Sequence, residues 1–387
     1  MAVRGCACPI CGGDSVPVIS LAFGPKMGLP AAPEIRCCEA DDFAFLTDVR
    51  QSEYDAYYGT VVNDYRHRET KRDKNSPLSR QVANLHAMLQ GYFDTPRHVL
   101  DYGCGEADLL RALAVFAPVS RFTGYDPSPS SDAAQARIAA SGLANLQITN
   151  RREVLGHGAF DLVILSHVAE HLVDFSALAG IGALLRPSGV FYIEVPDALA
   201  YSAFERRSFL YYFDRLHVNH FSPRALARLA ALFGFRLAAT RRYEFPYGDG
   251  RPYPAVSVIL RKDGSATDTP EVPLYPVLKC YIAAELERAK LLSDEVRDDA
   301  NLFVWGCGDN FYRSMGPGGP LSRFHNMILL DRQPKEIVIG GSRHRTVEPV
   351  AALAGHAGPV IVTVSEASES IVNAIKTIDP GRKIVLI

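Results

Sequence analysis

The stretch that most restricts how this chain can fold is Val99-Leu-Asp-Tyr-Gly-Cys-Gly-Glu-Ala-Asp108. Val99 and Leu100 read as the end of a buried strand, Asp101, Gly103 and Gly105 as a tight turn, and Leu109-Leu110 as the opening of a helix. Glycine lets the backbone approach a ligand closely. The first N–H groups of the helix that follows favour a negative group, here a carboxylate rather than a phosphate. The spacing Asp-x-Gly-x-Gly departs from the dinucleotide pattern, which needs a third glycine. A strand, a glycine turn and a helix in this order imply an α/β fold.

Downstream residues repeat the same logic. Phe122-Thr-Gly-Tyr-Asp126 is an apolar strand ending in an acid, about 20 residues on, where an α/β nucleotide site places a carboxylate on ribose hydroxyls. Phe160-Asp-Leu-Val-Ile-Leu165 reads as a third buried strand and runs into Ser166-His-Val-Ala-Glu-His-Leu172; Leu184-Leu-Arg-Pro-Ser-Gly-Val190 and the strand Phe191–Val195 follow. With these motifs in this order, residues 80 to 262 resemble the class I S-adenosylmethionine-dependent methyltransferases. The resemblance implies a Rossmann-like sheet with Asp101, Gly103 and Gly105 facing the methionine part of the cofactor, Asp126 facing the ribose, and Ser166 and His167 bordering the sulfonium. Glu170 and His171 read as residues that position the loop.

At 387 residues the chain is too long for one ordinary core, and two or three domains are expected. A net charge of −2 supplies no electrostatic footprint for nucleic acid or an anionic membrane. There is no run of about 18 apolar residues and no basic-then-apolar leader, so a cytoplasmic protein is expected. Five of the eight cysteines fall within the first 38 residues, a clustering that favours a metal site over a disulfide framework.

Cys8-Pro-Ile-Cys11-Gly-Gly is the kind of knuckle in which two thiolates converge on structural zinc. The return pair is expected near Cys37-Cys38-Glu-Ala-Asp41, with Cys8, Cys11 and Cys38 as ligands and the fourth drawn from Cys37, Asp41 or Cys6. Tyr54, Tyr57 and Tyr58 then make a stretch dense in aromatic hydroxyls, able to pack or to handle a proton beside a cofactor. Ser79 to Phe93 has helical apolar spacing and leads into the core.

After the strand at Val195 comes a long excursion without a simple period, holding Tyr211-Tyr-Phe-Asp-Arg-Leu-His217-Val-Asn-His220-Phe-Ser222. Excursions from strand ends are where substrate residues and bases belong, and an imidazole, as at His217 or His220, ordinarily titrates near neutral pH and is expected to move a proton. Strands around Tyr243–Phe245 and Val256–Leu260 close this part, and the polar linker Lys262–Pro270 marks a boundary. Beyond it a helix over Tyr281–Leu292, then Leu302-Phe-Val-Trp-Gly306-Cys-Gly308 and strands at Met327, Pro359 and Lys383, form a second, smaller Rossmann-like unit expected to grip substrate.

The order of parts is a zinc module with a tyrosine-rich lead-in (1–80), a methyltransferase core (81–262) and a small α/β domain (263–387). It is similar to the three-part sugar C-methyltransferases that act on nucleotide-linked keto sugars in antibiotic pathways. That resemblance implies a catalytic tyrosine at Tyr57 or Tyr58, and it aligns the family's His-Glu-His-x-x-Tyr-Phe-Ser loop with Arg215–Ser222. His217 is kept, the glutamate becomes Leu216 and the tyrosine becomes His220. Methyl transfer to a nucleotide-linked sugar or related small polar metabolite follows as the first reading, on carbon by resemblance, with oxygen or nitrogen acceptors as the alternative because of Leu216. A nucleic-acid methyltransferase lacks support, since no basic face is evident. A non-catalytic module binding S-adenosylmethionine and zinc is the reading from another class.

Overall fold

The computed structural model describes residues 4–26, 28–60, 77–204, 208–247, 251–262, 267, 269, 272–296, 301–364 and 368–387. Most of the linker Lys262–Pro270 lies outside the described residues. In chain order the amino-terminal part holds β1 (Val16–Ser20), β2 (Glu34–Cys38), β3 (Phe43–Leu46), α1 (Gln51–Thr60) and α2 (Pro77–Met88). The central part follows with β4 (His98–Tyr102), α3 (Asp108–Phe116), β5 (Arg121–Tyr125), α4 (Ser130–Ser141), β6 (Leu146–Thr149), β7 (Phe160–Ser166), α5 (Ser176–Gly182), β8 (Leu185–Pro196), β9 (Asn219–Phe221), α6 (Pro223–Leu232), β10 (Arg236–Tyr247) and β11 (Arg251–Arg261).

Strands β4 to β8 are parallel, and β11 runs antiparallel to both β8 and β10, in the order β10-β11-β8-β7-β4-β5-β6. Helices on both faces explain why the inner strands read as unbroken apolar runs. Side chains alternate between two cores: Leu100, Val163, Leu165 and Phe191 on one face, Val99, Leu162, Ile164 and Val190 on the other. Chain direction reverses across β4 and β7, which opens a crevice at their carboxyl ends where ligands bind in open α/β sheets. The strand β6 escapes the sequence reading, so β7 is the fourth strand rather than the third. It is four residues at the sheet edge with a single fully buried side chain, too short for its period to stand out.

The carboxyl-terminal part comprises α7 (Leu274–Asp294), β12 (Leu302–Trp305), α8 (Asp309–Met315), β13 (Met327–Leu330), β14 (Glu336–Ile339), β15 (Ser342–Arg345), α9 (Pro349–Ala354), β16 (Val360–Val362), α10 (Ser368–Ile378) and β17 (Ile384–Leu386). Four of these strands form a parallel sheet of order β13-β12-β16-β17, and the hairpin β14-β15 is an addition the sequence did not announce. Helix α7 begins earlier than expected and packs Leu274, Leu278, Tyr281 and Ile282 into the cluster that also holds Leu46, Tyr54, Tyr201 and Phe213. Among the described residues no helix is long and apolar enough to cross a membrane.

The amino-terminal sheet is completed from outside. Its order is β1-β2-β3-β9, so residues 219–221 of the long excursion supply the fourth strand. A buried polar tie fixes that return. Arg4 donates to Asn219 Oδ1 at 2.7 Å, to Leu172 O at 3.1 Å and to Val173 O. Asn219 Nδ2 donates in turn to Ala169 O at 2.9 Å and Leu172 O at 2.8 Å. Replacing Asn219 by Ala removes one acceptor from the buried Arg4 guanidinium and one donor from each of two carbonyls. Asn219→Ala should therefore lower unfolding free energy by about 3 kcal/mol in urea titrations, far more than an exposed Asn→Ala change.

Candidate active site

The glycine turn after β4 has the backbone that its sequence demands. Gly103 and Gly105 lie at φ 84° and 51°, and Ala107, where a third glycine would fall in an alternating pattern, also takes a left-handed conformation at φ 60°. A Cβ on Gly103 would meet Val168 Cγ2 at 2.6 Å, whereas one on Gly105 would meet nothing within 4 Å. The turn is therefore packed on one side and open on the other. Gly103 N and Cys104 N both donate to Tyr125 O, at 2.7 and 3.0 Å, and Gly105 N donates to Asp126 Oδ2 at 2.8 Å. Asp126 Oδ1 accepts from Ser128 N at 2.8 Å, so this acid joins the ends of β4 and β5. Asp101 is buried beneath the turn, and burial, followed by the Asp126 charge, pushes its carboxyl up to about 7.

Beyond β7, Ser166 Oγ donates to Glu194 Oε1 at 3.2 Å. His167, at φ 54°, places its ring between two carboxylates, with Nδ1 3.1 Å from Glu170 Oε1 and Nε2 3.5 Å from Glu194 Oε1. Burial opposes its charge, yet Glu170 and Glu194 outweigh it and hold the imidazole up to about 10. Glu194 is satisfied as a buried anion must be: Tyr192, Tyr243 and Ser257 donate to Oε2 at 2.5, 2.8 and 3.0 Å, and Asn84 and Gln81 add longer bonds at 3.3 Å. Burial works against its ionisation, and His167 with the tyrosine hydroxyls draws it down to about 2. The sequence reading missed Glu194, although a lone acid in the apolar strand Phe191–Val195 is the pattern of a paired buried charge.

The excursion delivers His217 to the same strand end. Its ring centroid lies 5.0 Å from that of His171, and ligating atoms of Glu170, His171 and His217 all fall within 4.8 Å of one another. Tyr58 OH is 3.0 Å from His171 Nδ1, which also lies 2.8 Å from Leu216 O. Burial, then His171, pushes His217 down to about 4. Of the residues expected to be catalytic, His217 and Tyr58 thus converge. His220 packs between Phe213 and Tyr201, its Nδ1 3.1 Å from the Tyr201 hydroxyl, and burial pushes it down to about 3. Tyr57 sits behind Tyr58, ring centroids 5.3 Å apart, with Lys26 Nζ 5.0 Å from its ring centroid. Glu170 and His171, read from sequence as loop-positioning residues, stand at the centre of the cluster. They follow β7 directly, the place where the fold gathers chemistry.

At the amino terminus Cys8, Cys11, Cys38 and Asp41 bring their ligating atoms within 4.8 Å of one another. The contacts are 3.2 Å for Cys8–Asp41, 3.5 Å for Cys38–Asp41 and 3.7 Å for Cys11–Cys38. Three sulfurs and a carboxylate are a donor set that suits a tetrahedral divalent ion. Cys37, the neighbour of Cys38 on β2, faces the opposite side and packs with Ile35, Ala44 and Leu46, so it is not part of this set. Cys6 is exposed and also stands apart.

Asp101 makes a pH dependence. Its carboxyl is raised from 3.8 to about 7 on folding, so the folded state holds more protons than the unfolded state across that window, and stability falls as pH rises through it. Asp101→Asn should remove that fall: the difference in unfolding free energy between variant and parent should grow by up to about 4 kcal/mol from pH 4 to pH 8, read by denaturant titration at each pH.

A family described as a methyltransferase domain matches residues 71–240. No curated protein matches the chain at a significant level. Among solved structures, the 1,6-didemethyltoxoflavin N1-methyltransferase of Burkholderia thailandensis, with bound 1,6-didemethyltoxoflavin and S-adenosylhomocysteine, is 21% identical over 62% of this chain and 100% of its own, with a TM-score of 0.40. A SAM-dependent methyltransferase of Methanosarcina mazei is 17% identical over 46% of this chain and 96% of its own, with a TM-score of 0.37. A putative methyltransferase of Bacillus halodurans is 14% identical over 48% and 100%, with a TM-score of 0.39. The matched segment takes in β4 to β8 with their glycine turn, strand-end acid and crevice, and the chain carries a methyltransferase domain over these residues.

Proposed function

We propose that the chain transfers the methyl group of S-adenosylmethionine to a nucleotide-linked sugar or a related small polar metabolite, with carbon as the acceptor atom, in natural-product or polysaccharide biosynthesis. One observation carries the choice of carbon: the Glu170 carboxylate beside His171 and His217 at the end of β7. Methylation next to a ketone requires removal of a C–H proton and support for the enolate charge. The resemblance to sugar C-methyltransferases expects a carboxylate at position 216. Here Leu216 offers His171 only its backbone oxygen, and Glu170 supplies a carboxylate from the facing segment.

The cofactor, when bound, supplies an electrophilic methyl on a sulfonium that leaves readily. In this reading Asp101, Gly103, Gly105 and Asp126 hold it, with Ser166 and His167 at its reactive end. The open side of Gly105 and the strand-end acid support that placement. His217 and Tyr58 line the acceptor side, while His220 and Tyr57 support them from behind. Rate then comes chiefly from alignment of acceptor, methyl and sulfur. The carboxyl-terminal unit, 263–387, grips the rest of the substrate, and the protein works in the cytoplasm.

The test is incubation with methyl-labelled S-adenosylmethionine and a panel of nucleotide-linked sugars that includes 4-keto forms. Product carrying the label on carbon supports the reading. Label on oxygen or nitrogen moves the acceptor, and no labelled sugar removes the substrate class. Glu170→Gln and His217→Asn should each depress turnover about 10²- to 10⁴-fold while leaving cofactor affinity intact; an equal loss in both quantities would count against them.

The same proposal places structural zinc on Cys8, Cys11, Cys38 and Asp41. A metal bound only by the folded chain contributes its binding energy to folding. Chelation should then lower the melting temperature of the parent protein and leave that of a Cys11→Ser variant almost unmoved.

A further inference from the structure

We infer that Glu170, His171 and His217 form a second divalent-metal site, separate from the cysteine knuckle and set at the mouth of the methyltransferase crevice. Two histidines and one carboxylate bring ligating atoms within 4.8 Å of one another, and the three come from two chain segments that only the fold unites. Proximity is the lesser part of the case. A ligating histidine characteristically donates its other ring N–H to a carbonyl, which fixes the tautomer and leaves a lone pair for the ion. His171 fits that arrangement: Leu216 O can only accept, so a proton on Nδ1 at 2.8 Å satisfies it, the Tyr58 hydroxyl 3.0 Å from the same nitrogen accepts as well, and Nε2 keeps its lone pair.

Glu170 is arranged in the same way. Its Oε1 is held by His167 Nδ1 at 3.1 Å, while Oε2 is buried with no hydrogen-bond partner. The side chain is only 1% exposed, so water does not relieve that oxygen. His217 Nδ1 is likewise buried and unpartnered. Buried polar atoms are rarely left unmet, and those that are call for an unseen ion or water. Glu170 and His217 each hold an unmet buried atom and lie within ligating reach of each other and of His171, which makes a cation the better match. Nitrogen and oxygen donors of this kind select zinc, cobalt, nickel, manganese or ferrous iron over calcium or magnesium.

Three protein ligands leave coordination positions open, the feature that separates reactive from structural sites. The role of the ion, though not its binding, rests on the acceptor reading above. An acceptor oxygen on an open position would have its developing negative charge stabilised there.

The test counts metal. Full-length parent, Glu170→Gln and His217→Asn proteins are equilibrated with Co²⁺, dialysed and analysed for total bound divalent metal. The expected result is that each variant holds one equivalent less than the parent and, once both are stripped of metal, melts with it. Equal metal content in parent and variants overturns the site. Should both variants fail to fold, the visible spectrum of the parent decides. Absorption from cobalt on nitrogen and oxygen ligands supports the site, and sulfur-to-cobalt charge transfer alone overturns it. The two readings fail separately: two ions bound without any methylated sugar would end the sugar reading alone, and methylated sugar with no metal at Glu170 would end the metal site alone.

Discussion

Asn219 is where three parts of the molecule are obliged to meet. Its strand completes the amino-terminal sheet, its amide accepts from Arg4 near the start of the chain, and its NH₂ satisfies carbonyls of the loop that follows β7. Each of these groups is buried, and a buried polar group left unmet costs on the order of 1–3 kcal/mol. The tie therefore holds the excursion at one register. His217, two residues before Asn219, can then reach only the neighbourhood of Glu170 and His171. The geometry of the candidate site is a consequence of hydrogen-bond accounting some distance from it.

Three buried acids surround the crevice at the strand ends of the central sheet. These three, Asp101, Glu170 and Glu194, are handled differently. Glu194 is ionised because His167 and three hydroxyl groups surround it. Asp101 has the Asp126 charge above it and burial around it, which favours its neutral form up to about pH 7. Glu170 has one oxygen engaged and one unengaged, and that asymmetry is what a ligand or ion would use. Burying these acids costs stability, and three of them around one crevice is the pattern of a site rather than of a core.

The amino-terminal module is not an appendage. Cys8, Ile10 and Cys38 share a hydrophobic cluster with Phe43, Phe221 and residues of the central sheet, and Phe43 stacks within 5.1 Å of Phe221. The cysteine cluster is thus coupled through packed aromatics to the strand that carries His217 toward the site. Tyr58, on α1, packs against a different cluster and reaches His171 Nδ1 at 3.0 Å.

Much of this was legible before any coordinates. The glycine turn at Gly103 and Gly105, the acid at Asp126 and the apolar runs of β4, β5, β7 and β8 are local features, and a chain with those features folds as a parallel α/β sheet because strand and turn propensities act over a few residues. The Cys8–Cys11 knuckle was equally local. What the sequence could not decide were the choices that depend on facing segments: Asp41 rather than Cys37 beside three thiols, settled by the face of β2 that Cys37 takes, and Glu170 with His171 beside His217 rather than His220. Residues 46 positions apart, His171 and His217, have no local pattern that joins them. The sheet does so, since a strand from the excursion had to find an edge to pair with and β3 offered it.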